Sequence, residues 1–269
     1  MIKNKTILVT GGTGSFGKMF TRMSLLKHKP KKIIIFSRDE LKQYEMEKII
    51  SPKYREVMRF FIGDVRDKDR LKFAMKEADI VIHAAALKQV PTAEYNPFEC
   101  VKTNVIGAQN VIESALDSKI QKVIALSTDK AASPINLYGA TKLTSDKLFI
   151  AANNYKGKSK IKFSVVRYGN VIGSRGSILP LFKTQANKNQ FTLTHKNMTR
   201  FNITLEDGVN YVFSCLNKMI GGELFVPKLK SFKVKDMIYA MNSNPNIKII
   251  GTRPGEKIHE ELVTTTDSV

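Results

Sequence analysis

The 269-residue sequence has only two cysteines, no long apolar run, and 24 acidic residues against 44 basic ones. Each shortage excludes something. Cys100 and Cys215 lie in apolar helical contexts with no partner at metal-ligand or redox spacing, so they read as small core residues and not as a disulfide scaffold or a metal site. The longest apolar candidate, Ala78 to Leu87, is interrupted by Asp79 and His83 and falls short of the roughly 18 residues that a membrane span needs. At the amino end Met1–Lys5 runs at once into the strand-like Thr6–Thr10, which leaves no room for the apolar segment of a signal peptide, so a cytoplasmic protein is expected. There is no internal repeat and no low-complexity linker. With 42% hydrophobic and 25% charged residues, disordered and collagen-like chains are out, and the length suits one large domain or a domain and a half.

The surplus of positive charge, +20, raises nucleic acid or an anionic membrane surface as partners. Either would need clustering, and the basic residues are spread along the chain. The densest run, Lys27–Lys32, occupies a helix-to-strand turn without interleaved aromatics. No nucleic-acid partner is expected, and a solvated surface compatible with small polyanions such as nucleotides fits better.

What is present is alternation. Short runs rich in Ile, Val and Phe recur at Thr6–Thr10, Lys32–Phe36, Met58–Ile62, Asp79–His83, Lys122–Ser127, Phe163–Arg167 and Glu223–Val226, and their near-continuous apolarity marks strands covered on both faces. Amphipathic stretches lie between them, at Glu40–Ile50, Lys68–Lys76, Pro97–Ser118 and Leu137–Asn154, with a further helix near Glu206–Met219. This pattern predicts an α/β protein with a doubly wound parallel sheet. Residues 1–168, with 200–228 returning to them, are expected to form the dinucleotide-binding domain, and 169–199 with 229–269 a small substrate lobe over the strand ends.

The first strand ends in Thr10-Gly11-Gly12-Thr13-Gly14-Ser15-Phe16-Gly17, a Gly-x-x-Gly-x-x-Gly spacing at a strand-to-helix junction. Glycines are needed there for the tight turn, for backbone approach to a pyrophosphate, and for close helix packing. Thr13, Ser15 and Phe16 belong to the same cofactor loop. After the second strand, Ser37 and Arg38, with Lys42 one turn on, suit a 2′-phosphate and so NADP, whereas Asp39 either accepts from a free 2′-hydroxyl or caps the next helix. Asp64 after the third strand is placed to accept from the adenine amino group with Val65 against the ring, or else it caps a helix. Ala84 and Ala85 after the fourth strand are small enough for the backbone to lie close to the cofactor.

The fifth strand ends in Ser127-Thr128-Asp129-Lys130, followed eight residues later by Tyr138-Gly139-Ala140-Thr141-Lys142. On a helix Tyr138 and Lys142 share a face, so that the ammonium lowers the pKa of the tyrosine, which becomes a general base for an alcohol losing hydride.

With these segments, and with Phe36–Gln43, Phe61–Asp67 and Gly251–Glu260, nearly the whole chain resembles the extended short-chain dehydrogenase/reductase superfamily of Rossmann proteins. Within it, the resemblance is to the inverting UDP-N-acetylglucosamine 4,6-dehydratases that open pseudaminic acid biosynthesis. Asp129-Lys130 matches the inverting signature, where retaining enzymes carry Asp-Glu. Tyr138 separates the chain from a related inverting branch with methionine at that position.

The resemblance implies an NADP-dependent lyase. Tyr138, with Thr128 orienting the 4-hydroxyl, takes the proton of that hydroxyl. Lys130, deprotonated through desolvation and nearby positive charge, removes the C5 proton; Asp129, held protonated, protonates the departing C6 hydroxyl; and Lys130 returns a proton to the opposite face of C5. The product is UDP-2-acetamido-2,6-dideoxy-beta-L-arabino-hexos-4-ulose. The resemblance also implies a homo-oligomer, and places the UDP-sugar on Asn170, Ser174, Arg175, Arg253 and Glu256, with Lys88 as a further substrate or cofactor contact. Two departures stand out. Asn202 occupies a position where the family usually has tryptophan, and the family continues beyond the Arg253-Pro254-Gly255-Glu256-Lys257 segment, so the substrate lobe is expected to be truncated. The competing expectations are a sugar-nucleotide epimerase or reductase, for which Asp129-Lys130 is surplus, and a non-catalytic NADP-binding regulator, which needs none of the catalytic set.

Overall fold

A computed structural model describes residues 2–174 and 177–267. The first half alternates strand and helix: β1 (Thr6–Thr10), α1 (Ser15–Lys27), β2 (Lys32–Ser37), α2 (Glu40–Ile49), β3 (Met58–Ile62), α3 (Lys68–Met75) and β4 (Ile80–His83). There follow α4 (Val90–Tyr95), α5 (Pro97–Val101), α6 (Gly107–Leu116), β5 (Lys122–Thr128), α7 (Leu137–Ala151) and β6 (Lys162–Tyr168). The remainder comprises β7 (Asn170–Val171), α8 (Ile178–Ala186), β8 (Gln190–Leu193), β9 (Thr199–Ile203), α9 (Leu205–Lys218) and β10 (Leu224–Phe225). β11 (Ser231–Lys233), α10 (Val234–Met241) and β12 (Asn246–Ile249) follow, and a 3-10 turn at Thr265–Asp267 comes last.

Seven strands form one parallel sheet in the order β10-β6-β5-β4-β1-β2-β3. The doubly wound architecture expected from the alternation is therefore present. Because side chains alternate along a strand, each apolar run feeds two cores. Ile7 and Val9 of β1 pack with Ile33 and Ile35 of β2 beneath Phe20 of α1 and Val212 and Phe213 of α9. Leu8, Ile34, Val81 and Val123 point to the opposite face, against Leu71 of α3, Val111 of α6 and Phe149 of α7. Cys100 and Cys215 are buried free thiols. β3 departs from the two-face expectation: it is the edge strand, pairs with β2 alone among the described residues, and leaves Ile62 49% exposed.

The chain reverses its direction of sheet growth between β1 and β4, whose ends align at Thr10 and His83, and that switch point opens the crevice for a ligand. The stretch read as one helix from Pro97 to Ser118 is instead α5 and α6 joined by a π-helical turn at Lys102–Ile106. The wider turn carries Thr103 and Asn104 inward. There Asn104 accepts from the Leu87 amide (2.8 Å), donates to the Leu87 carbonyl (2.9 Å) and reaches Thr141 of α7 (3.1 Å), tying the loop after β4 to that helix.

Beyond β6 the chain builds a smaller assembly. β8 pairs with β12, and Phe182, Phe191, Leu193, Met198, Val234 and Ile238 form a separate apolar cluster beneath α8 and α10. β9 joins β7 on one side and β11 on the other, so Asn202 stands in register with Asn170. The last residues then run back over the end of β5, where Lys257 donates to the Ala132 carbonyl (2.6 Å) and Asn136 to the Gly255 carbonyl (2.8 Å).

Candidate active site

A cleft of about 600 Å³ runs along the carboxyl ends of the central strands and takes in the glycine loop, the ends of β2, β4 and β5, and the start of α7. At its floor, Gly11 has a φ of +64°, a left-handed conformation that side chains rarely tolerate, and a Cβ there would stand 2.9 Å from the Ala85 backbone. Gly14 caps α1, so Ser15, Phe16 and Gly17 present the positive end of a 13-residue helix to the cleft. Thr13, Ala84 and Ala85 line the same wall. Thr10 Oγ1 accepts from the amides of Ala84 (3.2 Å) and Ala85 (3.3 Å) and also contacts His83 Nδ1 at 2.8 Å. Both hydroxyl lone pairs are thereby taken, so the hydroxyl proton goes to Nδ1 and the neutral ring carries its own proton on Nε2.

Ser37, Arg38, Asp39 and Lys42 form one end of the cleft. Asp39 settles into one of its two expected roles: it caps α2, accepting from the Lys42 amide at 3.0 Å, and its other oxygen is paired with the Lys42 ammonium. Asp64 is not the helix cap, because Asp67 accepts from the Arg70 amide and starts α3. Asp64 instead faces the cleft, 2.7 Å from Arg66 and 3.5 Å from Arg38. Burial raises its pKa, but hydrogen bonds from Arg66 and the two positive charges outweigh that and hold it below the usual carboxylate range. Val65 is buried and also lines the cleft.

At the other end, β5 delivers Thr128 and a single 3-10 turn carries Asp129 and Lys130. Thr128 Oγ1 donates to Asp129 Oδ1 (3.0 Å), and the same carboxylate oxygen accepts from Lys130 Nζ (3.1 Å). Asn136 caps α7 by accepting from the Gly139 amide at 2.8 Å, which puts Tyr138 and Lys142 on its first turns. Gly139 lies flush against the Lys130 carbonyl, where a side chain has no room, and this approach brings Tyr138 within hydrogen-bonding reach of Thr128. Thr128, Asp129, Lys130, Tyr138 and Lys142 thus meet in one wall.

The electrostatics differ from two expectations. Burial, with Asp129 and Asp146 adding to it, pushes the Tyr138 hydroxyl well up despite the Thr128 hydrogen bond, so the expected lowering by Lys142 does not dominate. Burial lowers the pKa of Lys142 itself, against the charge of Asp146. Lys130 is not deprotonated by its surroundings: burial pushes it down, but Asp129 and Glu260 (3.3 Å) outweigh burial and the Arg200 charge, and the ammonium is favoured.

Of the residues expected to hold the sugar nucleotide, Lys88, Asn170 and Ser174 line the cleft, and burial lowers the pKa of Lys88. Arg175 lies outside the described residues. Arg253 and Glu256 are not in the cleft wall. Glu256 accepts from the Arg253 amide (3.2 Å) within its own turn and pairs with Arg200 (3.7 Å), so its carboxylate is spent on holding that segment to β9.

Sequence reasoning missed Asp146 and Glu260. Asp146 follows Tyr138 and Lys142 at the next four-residue step of α7, a spacing that could have found it. It is buried, accepting from Ser127 (2.7 Å) and Arg167 (3.2 Å). Nothing local to Glu260 announces that it folds back onto a residue 130 positions earlier.

Residues 7–269 match the family described as polysaccharide biosynthesis protein. A UDP-N-acetylglucosamine 4,6-dehydratase (inverting) of Campylobacter jejuni subsp. jejuni serotype O:23/36 (strain 81-176) is 56% identical over 271 residues, covering 100% of this chain and 80% of that protein. A protein named UDP-glucose 4-epimerase from Rickettsia bellii (strain OSU 85-389) is 44% identical, over 99% of this chain and 80% of its own length. Among solved structures, Pen from Bacillus thuringiensis superposes with a TM-score of 0.94 at 41% identity, covering 99% of this chain and 85% of that one.

Proposed function

The chain belongs to the family of polysaccharide biosynthesis proteins, and from that premise we propose that it catalyses the configuration-inverting 4,6-dehydration of UDP-N-acetylglucosamine. The observation that carries the reading is the Asp129–Lys130 contact of 3.1 Å beside Thr128 and Tyr138 in the wall of the glycine-loop cleft. A redox step alone needs Thr128, Tyr138 and Lys142. Eliminating water from adjacent carbons needs an acid and a base as well, side by side.

The cofactor of this proposal is NADP. Gly11 leaves room only for backbone against Ala85, the start of α1 faces the cleft, and Arg38 and Lys42 stand where β2 ends, so the residues fit a dinucleotide. Asp39 is engaged as a helix cap and by Lys42, which favours a 2′-phosphate over a free 2′-hydroxyl. Bound there, the nicotinamide supplies a hydride acceptor at the start of the cycle and a hydride donor at its end.

Tyr138 rests as a neutral phenol; once its proton has passed to solvent, with Lys142 offsetting the charge, the phenolate takes the proton of the sugar's 4-hydroxyl. Once C4 is a ketone, the C5 proton is acidic. Lys130 rests as an ammonium, and passing its proton to Asp129 across 3.1 Å yields both groups the elimination needs. The freed amine takes the C5 proton, and the carboxylic acid protonates the C6 hydroxyl as water leaves. Return of a proton to the opposite face of C5 inverts that centre. Lys88, Asn170 and Ser174 are the proposed sugar-nucleotide contacts. Homo-oligomeric assembly, a cytoplasmic location and a place at the start of pseudaminic acid biosynthesis belong to the same proposal, as does the division into 1–168 with 200–228 for the cofactor and 169–199 with 229–269 for the substrate.

The test is incubation of the protein with UDP-N-acetylglucosamine in heavy water without reductant, followed by mass spectrometry and proton NMR. Loss of one water, deuterium at C5 and an L-configured 4-keto sugar are expected, and Lys130→Met abolishes all three. The 44% identity to a protein named as an epimerase favours a second reading, which predicts an unchanged mass with a changed C4 configuration.

A further inference from the structure

Glu260 is a buried carboxylate outside the cleft wall, on the segment that returns over the end of β5. Its Oε1 lies 3.3 Å from Lys130 Nζ, on an ammonium that Asp129 Oδ1 already holds at 3.1 Å. Its Oε2 has no hydrogen-bond partner among the described residues, and Lys257 stands 3.9 Å away. A carboxylate removed from water is costly unless a charge compensates it, and here the compensating charge is Lys130 itself. The segment is pinned for this contact. Lys257 donates to the Ala132 carbonyl (2.6 Å), Ser133 donates to Glu261 (3.0 Å), and Arg200 donates to the Ile258 carbonyl (3.1 Å).

We propose that Glu260 is a positioning residue for the Asp129–Lys130 pair, anchoring the Lys130 ammonium from outside the cleft and keeping it charged until the sugar nucleotide arrives. The charged groups around that ammonium are Asp129 on its own turn, Arg200 from β9, and Glu260 with Lys257 from the returning segment. Two carboxylates on one ammonium fix Nζ in place, and they leave Asp129 the acceptor facing the cleft while Glu260 stays behind. The consequence for catalysis rests on the dehydratase reading; the contact and its effect on Lys130 do not.

The experiment therefore has two arms. In the first, lysines are labelled with ¹³C at Cε, the Lys130 signal is identified by its loss in Lys130→Arg, and its titration is followed in the parent and in Glu260→Gln. Removing a negative neighbour weakens the charged form, so the midpoint moves to lower pH in Glu260→Gln. Glu260→Asp, which keeps the charge at a greater distance, falls between the two and serves if the Gln variant does not fold. An unchanged midpoint overturns the proposal. In the second arm, the pH dependence of kcat/KM for dehydration is measured. The alkaline limb, which reports loss of the proton that Lys130 passes to Asp129, moves to lower pH in Glu260→Gln, and the plateau drops on the order of 10-fold from lost positioning. A profile lowered equally at every pH, with the limb unmoved, marks a merely structural role and also overturns it. If the parent protein does not dehydrate the sugar, the dehydratase reading fails while the NMR arm still decides the role of Glu260.

Discussion

Acidification tests the interior beneath the glycine-loop cleft through His83. The ring is 1% exposed beneath the β4 end, accepts the Thr10 hydroxyl proton on Nδ1, and packs 5.5 Å from the Phe149 ring centroid. Burial, reinforced by the Lys142 charge, pushes its pKa down from 6.5 to about 3. A histidine depressed in the folded state favours folding fully above its unfolded pKa, and this contribution is lost as pH falls toward the folded value. Between pH 7 and pH 5 the unfolded chain takes up a proton that the folded chain refuses, which costs about 2 kcal/mol, rising to about 3 kcal/mol by pH 4. Protonating Nδ1 also breaks the Thr10 bond, and with it the support of the Ala84 and Ala85 amides that shape the glycine-loop crevice. The assay is urea unfolding of the parent and of His83→Asn at pH 7 and at pH 5. Asparagine removes the titration while retaining a polar partner for Thr10, so the parent loses about 2 kcal/mol more than the variant over that interval. An equal loss in both proteins refutes the reasoning.

Arg38→Ala removes a charged donor from the end of β2, so NADP binding weakens by about 10- to 100-fold while NAD binding changes little, as isothermal titration would measure. Asp267→Ala strips Arg167, 1% exposed, of a partner at 2.6 Å and leaves Asp146 to balance it alone, which costs about 3 kcal/mol of unfolding free energy by urea titration. Burial raises the Asp267 carboxyl, but the Arg167 hydrogen bond and charge more than reverse this. Its contribution is therefore present above the unfolded carboxylate pKa and disappears as pH falls through the folded one, so the gap between parent and variant narrows in acid.

The parts of the molecule legible in its sequence are those in which neighbours in the chain are neighbours in space. The glycine loop is a single βα turn, Thr128 to Lys130 is one strand end, and Tyr138 with Lys142 is one helix face, so period and spacing reveal them. Arg253 and Glu256 lie outside the cleft lining for the opposite reason. Their use depends on which distant surface the returning segment meets, and Glu256 meets Arg200 instead of the cleft. The charge of Lys130 turns on the same ground. Burial and the Arg200 charge act in the expected direction, but Asp129 and a glutamate 130 positions away outweigh them. Charge at a buried site follows contacts within about 4 Å, where the effective dielectric is low, and composition averages over a surface that water screens. A net charge of +20 and a cleft lysine held by two carboxylates are therefore compatible, and the second sets the resting proton of the site.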